Sequence, residues 1–167
     1  MERVIIIGCG GAGKSTLARQ LGEQLKLPVV HLDKLFWRPG WVQVSADEFD
    51  TLHRQELSKE KWIIDGNFNR TIQERIACCD TVIYLDFSRF ACLWGVIKRN
   101  ITNRGKVRPD MGEGCPEQID FEFLKWVWTF NHNKRDHYHK MLSQATHAQV
   151  IILKNRRAVK RFLHSLS

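Results

Sequence analysis

The 167-residue chain has no apolar run approaching the ~20 residues that cross a bilayer, so no membrane span is expected. The uncharged stretch 4-VIIIGCGGAG-13 follows Arg3, but it is short and runs into Lys14 and a helical pattern, which excludes an export signal. There is no Pro/Ser-rich linker, low-complexity run or internal repeat, which leaves one domain spanning 1–167. The five cysteines (9, 78, 79, 92 and 115) contain no CxxC and no paired ligand spacing. Their odd number and the missing export signal point to reduced thiols in a cytoplasm. His132, His137 and His139 cluster without a nearby cysteine, so a structural metal is not expected. No helix-turn-helix, zinc finger or aromatic-studded basic strand is present, so nucleic-acid binding is expected to be weak and non-specific.

Acidic residues are also scarce: 18 against 26 basic ones, for a net charge of +8, which suits an anionic partner. The distribution of charge says more. Residues 89–108 carry Arg89, Lys98, Arg99, Arg104, Lys106 and Arg108 and no acid, and residues 110–122 carry Asp110, Glu113, Glu117, Asp120 and Glu122 and no base. Lys154 to Arg161 is basic again.

Apolar runs at 3–7, 29–33, 62–65, 81–87 and 149–153 read as buried strands. Helical spacing predicts helices over 14–25, 47–57, 93–100, 121–142 and 158–166, with Ser45 as N-cap of the second and Glu48 three residues later. Residues 102–117 read as loop. Five apolar strands interleaved with helices predict a five-stranded parallel α/β sheet with helices on both faces. Such sheets bind ligands beyond the carboxyl ends of their strands.

After the first strand, 8-GCGGAGKS-15 satisfies G-x-x-x-x-G-K-[ST]. The backbone of Gly8, Gly10, Gly11, Ala12 and Gly13 curls so that its N–H groups face phosphate oxygens, and the helix behind adds its positive end. Lys14 reaches the β- and γ-phosphates and the Ser15 hydroxyl ligates Mg²⁺, with Thr16 following. The ligand is therefore a nucleoside triphosphate with Mg²⁺. Cys9 in this loop reads as a small space-filler. The NKRD of 133–136 lies inside a helical pattern instead of at a strand end, and no D-x-x-G follows a strand, which argues against a GTPase. A mechanical ATPase usually needs a longer chain.

Residues 65-DGNFNR-70 after 62-WII-64, the Arg-rich 99-RNITNRGKVRPD-110 between the fourth and fifth strands, and Arg135 beyond it resemble the adenylate-kinase-like small-molecule kinases. More narrowly, LDKLFWRPGW, WIIDGNF, RGKVRPDM and EFLKWVWTF resemble the family called DNA topology modulation proteins, across essentially the whole chain. The fold implies a kinase that moves the γ-phosphoryl group of Mg-ATP to a nucleotide or other small acceptor. The family name implies instead an ATP-binding regulator of DNA topology or of a partner. A monomer or a homodimer is compatible with either.

The resemblance implies a lid at roughly 100–120, with Arg99, Arg104, Arg108 and Arg135 closing over the phosphates and Gly105 and Gly112 as hinges. It implies that Arg156 stacks on the adenine. Asp65 is expected to hold Mg²⁺ through water, with Asp86 as its rival. In 32-LDKLFWRPGW-41, the loop after the second strand, Asp33 is expected to orient or deprotonate an acceptor hydroxyl. Phe36, Trp37 and Trp41 are expected to wall the acceptor, and Gly66, Asn67, Arg38 and Arg70 to hold its other end. Two rival readings stay open: tryptophans that only pack a helical subregion, and Asp33 as an N-cap.

Overall fold

A computed structural model describes residues 1–118 and 120–166. These residues form seven strands and seven helices. Strand β1 (Arg3–Gly8) leads through the glycine loop into α1 (Lys14–Leu25). Then follow β2 (Val29–His31), a short α2 (Leu32–Phe36), the paired β3 (Trp37–Arg38) and β4 (Val42–Gln43), and α3 (Ala46–Leu57). Strand β5 (Trp62–Asp65), α4 (Ile72–Cys78), β6 (Thr81–Leu85) and α5 (Arg89–Asn103) come next. The chain ends with α6 (Phe121–Gln144), β7 (Gln149–Leu153) and α7 (Arg156–His164).

The main sheet has the order β2-β5-β1-β6-β7 and is parallel throughout, as the five apolar runs predict. Val4 to Ile7 of β1 and Ile63 and Ile64 of β5 have no exposed surface, which fits strands covered on both faces. Helix α1 buries Leu17, Ala18, Leu21 and Gly22 against β1, β2 and β5. The chain moves from β1 to one side of the sheet for β2 and β5, then to the other for β6 and β7. The order therefore reverses at β1, and the crevice at its carboxyl end is where such folds take ligands. The register places Gly8 beside Leu85 and Ile6 and His31 beside Asp65, so the ends of β1, β2, β5 and β6 open onto one region.

The segment 32–41 departs from expectation. Strand β2 stops at His31, Asp33 lies in the short helix α2, whose N-cap is His31, and Trp37 and Arg38 pair with Gln43 and Val42. Gly40 and Trp41 both take positive φ (78° and 62°), as tight hairpin turns require. Helix α4 carries no strong apolar period and is a departure from expectation; its Arg75 ties it to the preceding 66–68 loop, as described below. Ser45 does cap α3, its Oγ accepting from Glu48 N at 3.1 Å. Glu48 does not complete the capping box, because its carboxylate pairs with Arg38. No described helix is long and apolar enough to cross a membrane.

Candidate active site

The glycine loop is gripped from three sides. Asn67, just past β5, accepts from Gly8 N at 3.0 Å and donates to Gly8 O at 2.9 Å. Lys14 Nζ donates to Gly8 O at 2.9 Å and Cys9 O at 3.1 Å. Helix α5 lies directly on the loop. A Cβ on Gly11, which has φ 78°, would sit 2.2 Å from Cys92 O, and one on Gly95 would sit 2.0 Å from Gly11 O. Both glycines are therefore closed to larger residues. Gly13 also takes positive φ, with open space around it. Cys9 is buried; the adjoining Cys92 thiol and burial hold its own thiol well above the ordinary range, so it stays protonated and fills space.

In front of the loop is a cavity of about 1180 Å³. Its floor is Gly10 to Thr16, the N-terminal turn of α1, with Asp33, Asp65 and Gly66 beside it. Burial raises the Asp33 carboxyl above its ordinary range. Lys14 opposes this, Asp65 reinforces it, and Arg108 and Asp110 add smaller contributions of opposite sign. These groups thus share one field. Asp65 is buried and its Oδ1 meets His31 Nδ1 at 2.5 Å, a pair created by the β2–β5 register.

One wall is aromatic. Phe36, Trp37 and Trp41 line the cavity, with Phe36 against Trp37 (4.9 Å between centroids) and Trp37 against Trp41 (5.4 Å). Phe49 and Phe68 back Phe36 at 5.5 and 5.0 Å. These aromatics therefore both pack a subregion and face the cavity. Trp41 Nε1 is buried and has no hydrogen-bond partner among the described residues.

The opposite wall and roof come from α5 and the segment after it. Glu117 is buried and bridges Arg99 Nε and Arg108 Nε, each at 2.7 Å. Arg108 Nη1 also donates to Asp110 Oδ2 at 2.8 Å. Burial works to raise the Asp110 carboxyl, but Arg108 and the Ser15 hydroxyl bring it below the ordinary range. The base-only and acid-only blocks of the sequence are thus folded onto each other. The roof also rests on the hairpin: Gly40 N donates to Gly114 O at 3.0 Å, Cys115 Sγ to Arg38 O at 3.2 Å, and a Cβ on Gly112 would lie 2.2 Å from Trp37 O. Gly112 is therefore a packing glycine in this structure, while Gly105, with φ 69° and open space, keeps hinge freedom.

Asn67, Arg99, Arg108 and Arg156 also line the cavity; Arg104, Arg38, Arg70 and Arg135 do not. Arg104 is exposed, Arg38 pairs with Glu48, and Arg70 pairs with Asp50 at 2.7 Å. Arg135 donates to Asp86 Oδ2 at 2.8 Å in a separate pocket, and Asp86 does not reach the main cavity either. Sequence reasoning missed Asp110, Glu117, Gly95, His31 and Arg75. Arg75 is fully buried and donates to the carbonyls of Gly66 (2.6 Å), Asn67 and Phe68 (3.1 Å), which fixes the loop carrying Asn67. No carboxylate among the described residues pairs with it, and burial pulls its pKa down to about 10, so it is still charged at neutral pH. A glycine at 95 within a helical pattern was a readable signal of close packing.

The structure of shikimate kinase from Bacteroides thetaiotaomicron is similar over 99% of this chain and 95% of that one, with a TM-score of 0.52 and 18% identity. The fold is that of a P-loop NTPase. At this identity the likeness establishes the fold alone. No family model and no curated protein matches the chain.

Proposed function

We propose that the chain is an ATP-dependent phosphotransferase that moves the γ-phosphoryl group of Mg-ATP to a hydroxyl or phosphate of a nucleotide or other small-molecule acceptor. The observation that carries this reading is the shared cavity: the phosphate loop and the Asp33 carboxyl open into the same space of about 1180 Å³. Single small-molecule sites occupy roughly 300–1,000 Å³, so this one has room for a donor and an acceptor together.

The residues fit the nucleotide and its cation. Gly11 and Gly13 take the positive φ that turns backbone N–H groups inward, and the N-terminal turn of α1 lines the floor. Ser15 and, through water, Asp65 would hold Mg²⁺, which when bound neutralises charge on the β- and γ-phosphates. Lys14 leaves the Gly8 and Cys9 carbonyls to meet the phosphates. Arg156 lies against α5 near Gly95, where it would cover the base. Arg99 and Arg108 exchange Glu117 for the transferring group, where a well-placed arginine is worth about 10³ to 10⁵ in rate. With a hydroxyl acceptor, Asp33 takes the hydroxyl proton as its oxygen bonds to phosphorus and the bond to the β-phosphate oxygen breaks, releasing ADP. Its raised pKa makes it a better base near neutrality than an exposed aspartate. Phe36, Trp37 and Trp41 would hold a ring-bearing acceptor.

The alternative, an ATP-binding regulator acting on DNA or a partner, draws on the basic surface and on the resemblance to DNA topology modulation proteins. It is less well supported, because Arg99 and Arg108 of the basic run face inward onto Glu117 and Asp110. The test is ADP release from Mg-ATP across a panel of nucleosides, nucleoside monophosphates, cyclic polyols and duplex DNA. Stimulation by one small acceptor, lost in Asp33→Asn, supports the kinase; stimulation by DNA alone supports the regulator.

A further inference from the structure

The end of the main cavity at the β2–β5 edge of the sheet is built from α2, the β3–β4 hairpin and the loop after β5. Asp33 lines it, beside the rings of Phe36, Trp37 and Trp41. All four residues are half-buried, so a ligand in the cavity can lie against them. The other polar side chains here are engaged. The Asn67 amide accepts from Gly8 N and donates to Gly8 O, and Asp65 meets His31.

This end also lacks a spare cation. The charges that act most on Asp33 are Lys14 and Arg108 on one side and Asp65 and Asp110 on the other. With Asp33 itself, two cations face three carboxylates. Arg108 is already paired with Asp110 and Glu117, and Lys14 serves the donor's phosphates. Arg38 and Arg70, the arginines of the neighbouring segments, are paired with Glu48 and Asp50 outside the cavity. The remaining cations of the cavity belong to α1, α5 and α7, and α7 follows β7 at the opposite edge of the sheet.

A phosphate or carboxylate brought to this end would be desolvated among aromatic rings and carboxylates without a cation of its own, which is costly. The chemistry points the same way. An ionised phosphate attacks phosphorus without needing a base, whereas a hydroxyl must give up its proton as the new bond forms. A carboxylate at the reacting position therefore suits a hydroxyl and repels a phosphate.

We propose that the acceptor is an uncharged, ring-bearing alcohol, its ring against Phe36, Trp37 and Trp41 and its hydroxyl on Asp33, and that this end of the cavity rejects phosphorylated and carboxylated molecules. The inference rests on the phosphotransferase reading of the same site and narrows its acceptor to neutral alcohols.

Initial rates of ADP release from Mg-ATP with matched pairs test it: adenosine with AMP, uridine with UMP, and methyl mandelate with mandelate. The neutral member of a pair should stimulate, with kcat/KM about a hundredfold or more above that of its charged partner, because the charged one buries an unpaired anion. In calorimetric titrations with a non-hydrolysable ATP analogue present, the charged member should bind Asp33→Asn more tightly than wild type; the neutral member on the same variant controls for a general change of fold. An Arg38→Ala/Arg70→Ala variant should keep the wild-type kcat/KM for the neutral member. Equal rates within the pairs, or a faster charged member, would overturn the proposal and leave the phosphotransferase reading intact. So would a loss in the Arg38→Ala/Arg70→Ala variant at an unchanged melting temperature, because the arginines would then reach the acceptor. Stimulation by no member of any pair, while the ATP analogue still binds, would remove the phosphotransferase reading and this proposal with it.

Discussion

Replacing Gly95 with alanine sets two effects of opposite sign against each other. Alanine is the better helix former by about 1 kcal/mol, so a solvent-facing site would gain stability. Gly95, however, faces the phosphate loop, and its new Cβ would lie 2.0 Å from Gly11 O, about 1.4 Å inside ordinary contact at 3.4 Å. Overpacking of this kind costs about 1–3 kcal/mol, so the net loss of stability is about 2 kcal/mol at most. For a chain of this size that is a drop of roughly 8 °C or less. The functional cost is larger. If α5 and the loop part by an ångström, the phosphate-binding N–H groups are displaced, and misplacement on that scale costs on the order of 10²-fold. The expected signature is therefore a small change in melting temperature with a roughly hundredfold loss in ATP affinity or ADP release. Calorimetric titration with a non-hydrolysable ATP analogue and a coupled ADP assay measure both. A variant with a raised melting temperature and wild-type affinity would refute the close-packing argument.

Other outcomes follow from the same geometry. Asp33→Asn should keep ATP binding and lose about 10²- to 10⁴-fold in transfer. Its carboxyl is raised in the folded state, so its charge weakens the fold as pH rises through that value. The asparagine variant should therefore melt higher than wild type at pH 7, and a lower melting point would contradict the burial argument. For the same reason, the acid limb of the wild-type pH–rate profile should lie above the ordinary aspartate range near 4. Arg75→Met leaves three carbonyls of the 66–68 loop without their donor and should cost on the order of 3–5 kcal/mol, read by urea denaturation. Arg108→Ala should lower single-turnover transfer by about 10³-fold or more; Arg104→Ala, whose side chain is outside the cavity, should change it little.

Much of the frame was legible because its signals are local. The glycine loop, the five apolar runs and the Ser45 cap each occupy a few consecutive residues, and backbone sterics or burial decide them. The residues that lie outside the cavity depend on distant partners. Arg135 was read as a lid arginine from its place on the helix, but Asp86, 49 positions away, holds it elsewhere. Arg38 and Arg70 were read toward the acceptor, and Glu48 and Asp50 on α3 take them instead. The hairpin at 37–43 was hidden because two-residue strands have no detectable period. Asp110 and Glu117 were visible as an acid block after a basic one, but only the folding of 104–118 over α5 shows which pairs form.

The most direct test of the account is ADP release from Mg-ATP with small acceptors and duplex DNA, run on wild type and Asp33→Asn in parallel. The account expects one small acceptor to raise the wild-type rate and none to raise that of the variant, while both chains bind ATP equally. An acceptor-stimulated rate equal in the two chains, or stimulation by DNA alone, would contradict it.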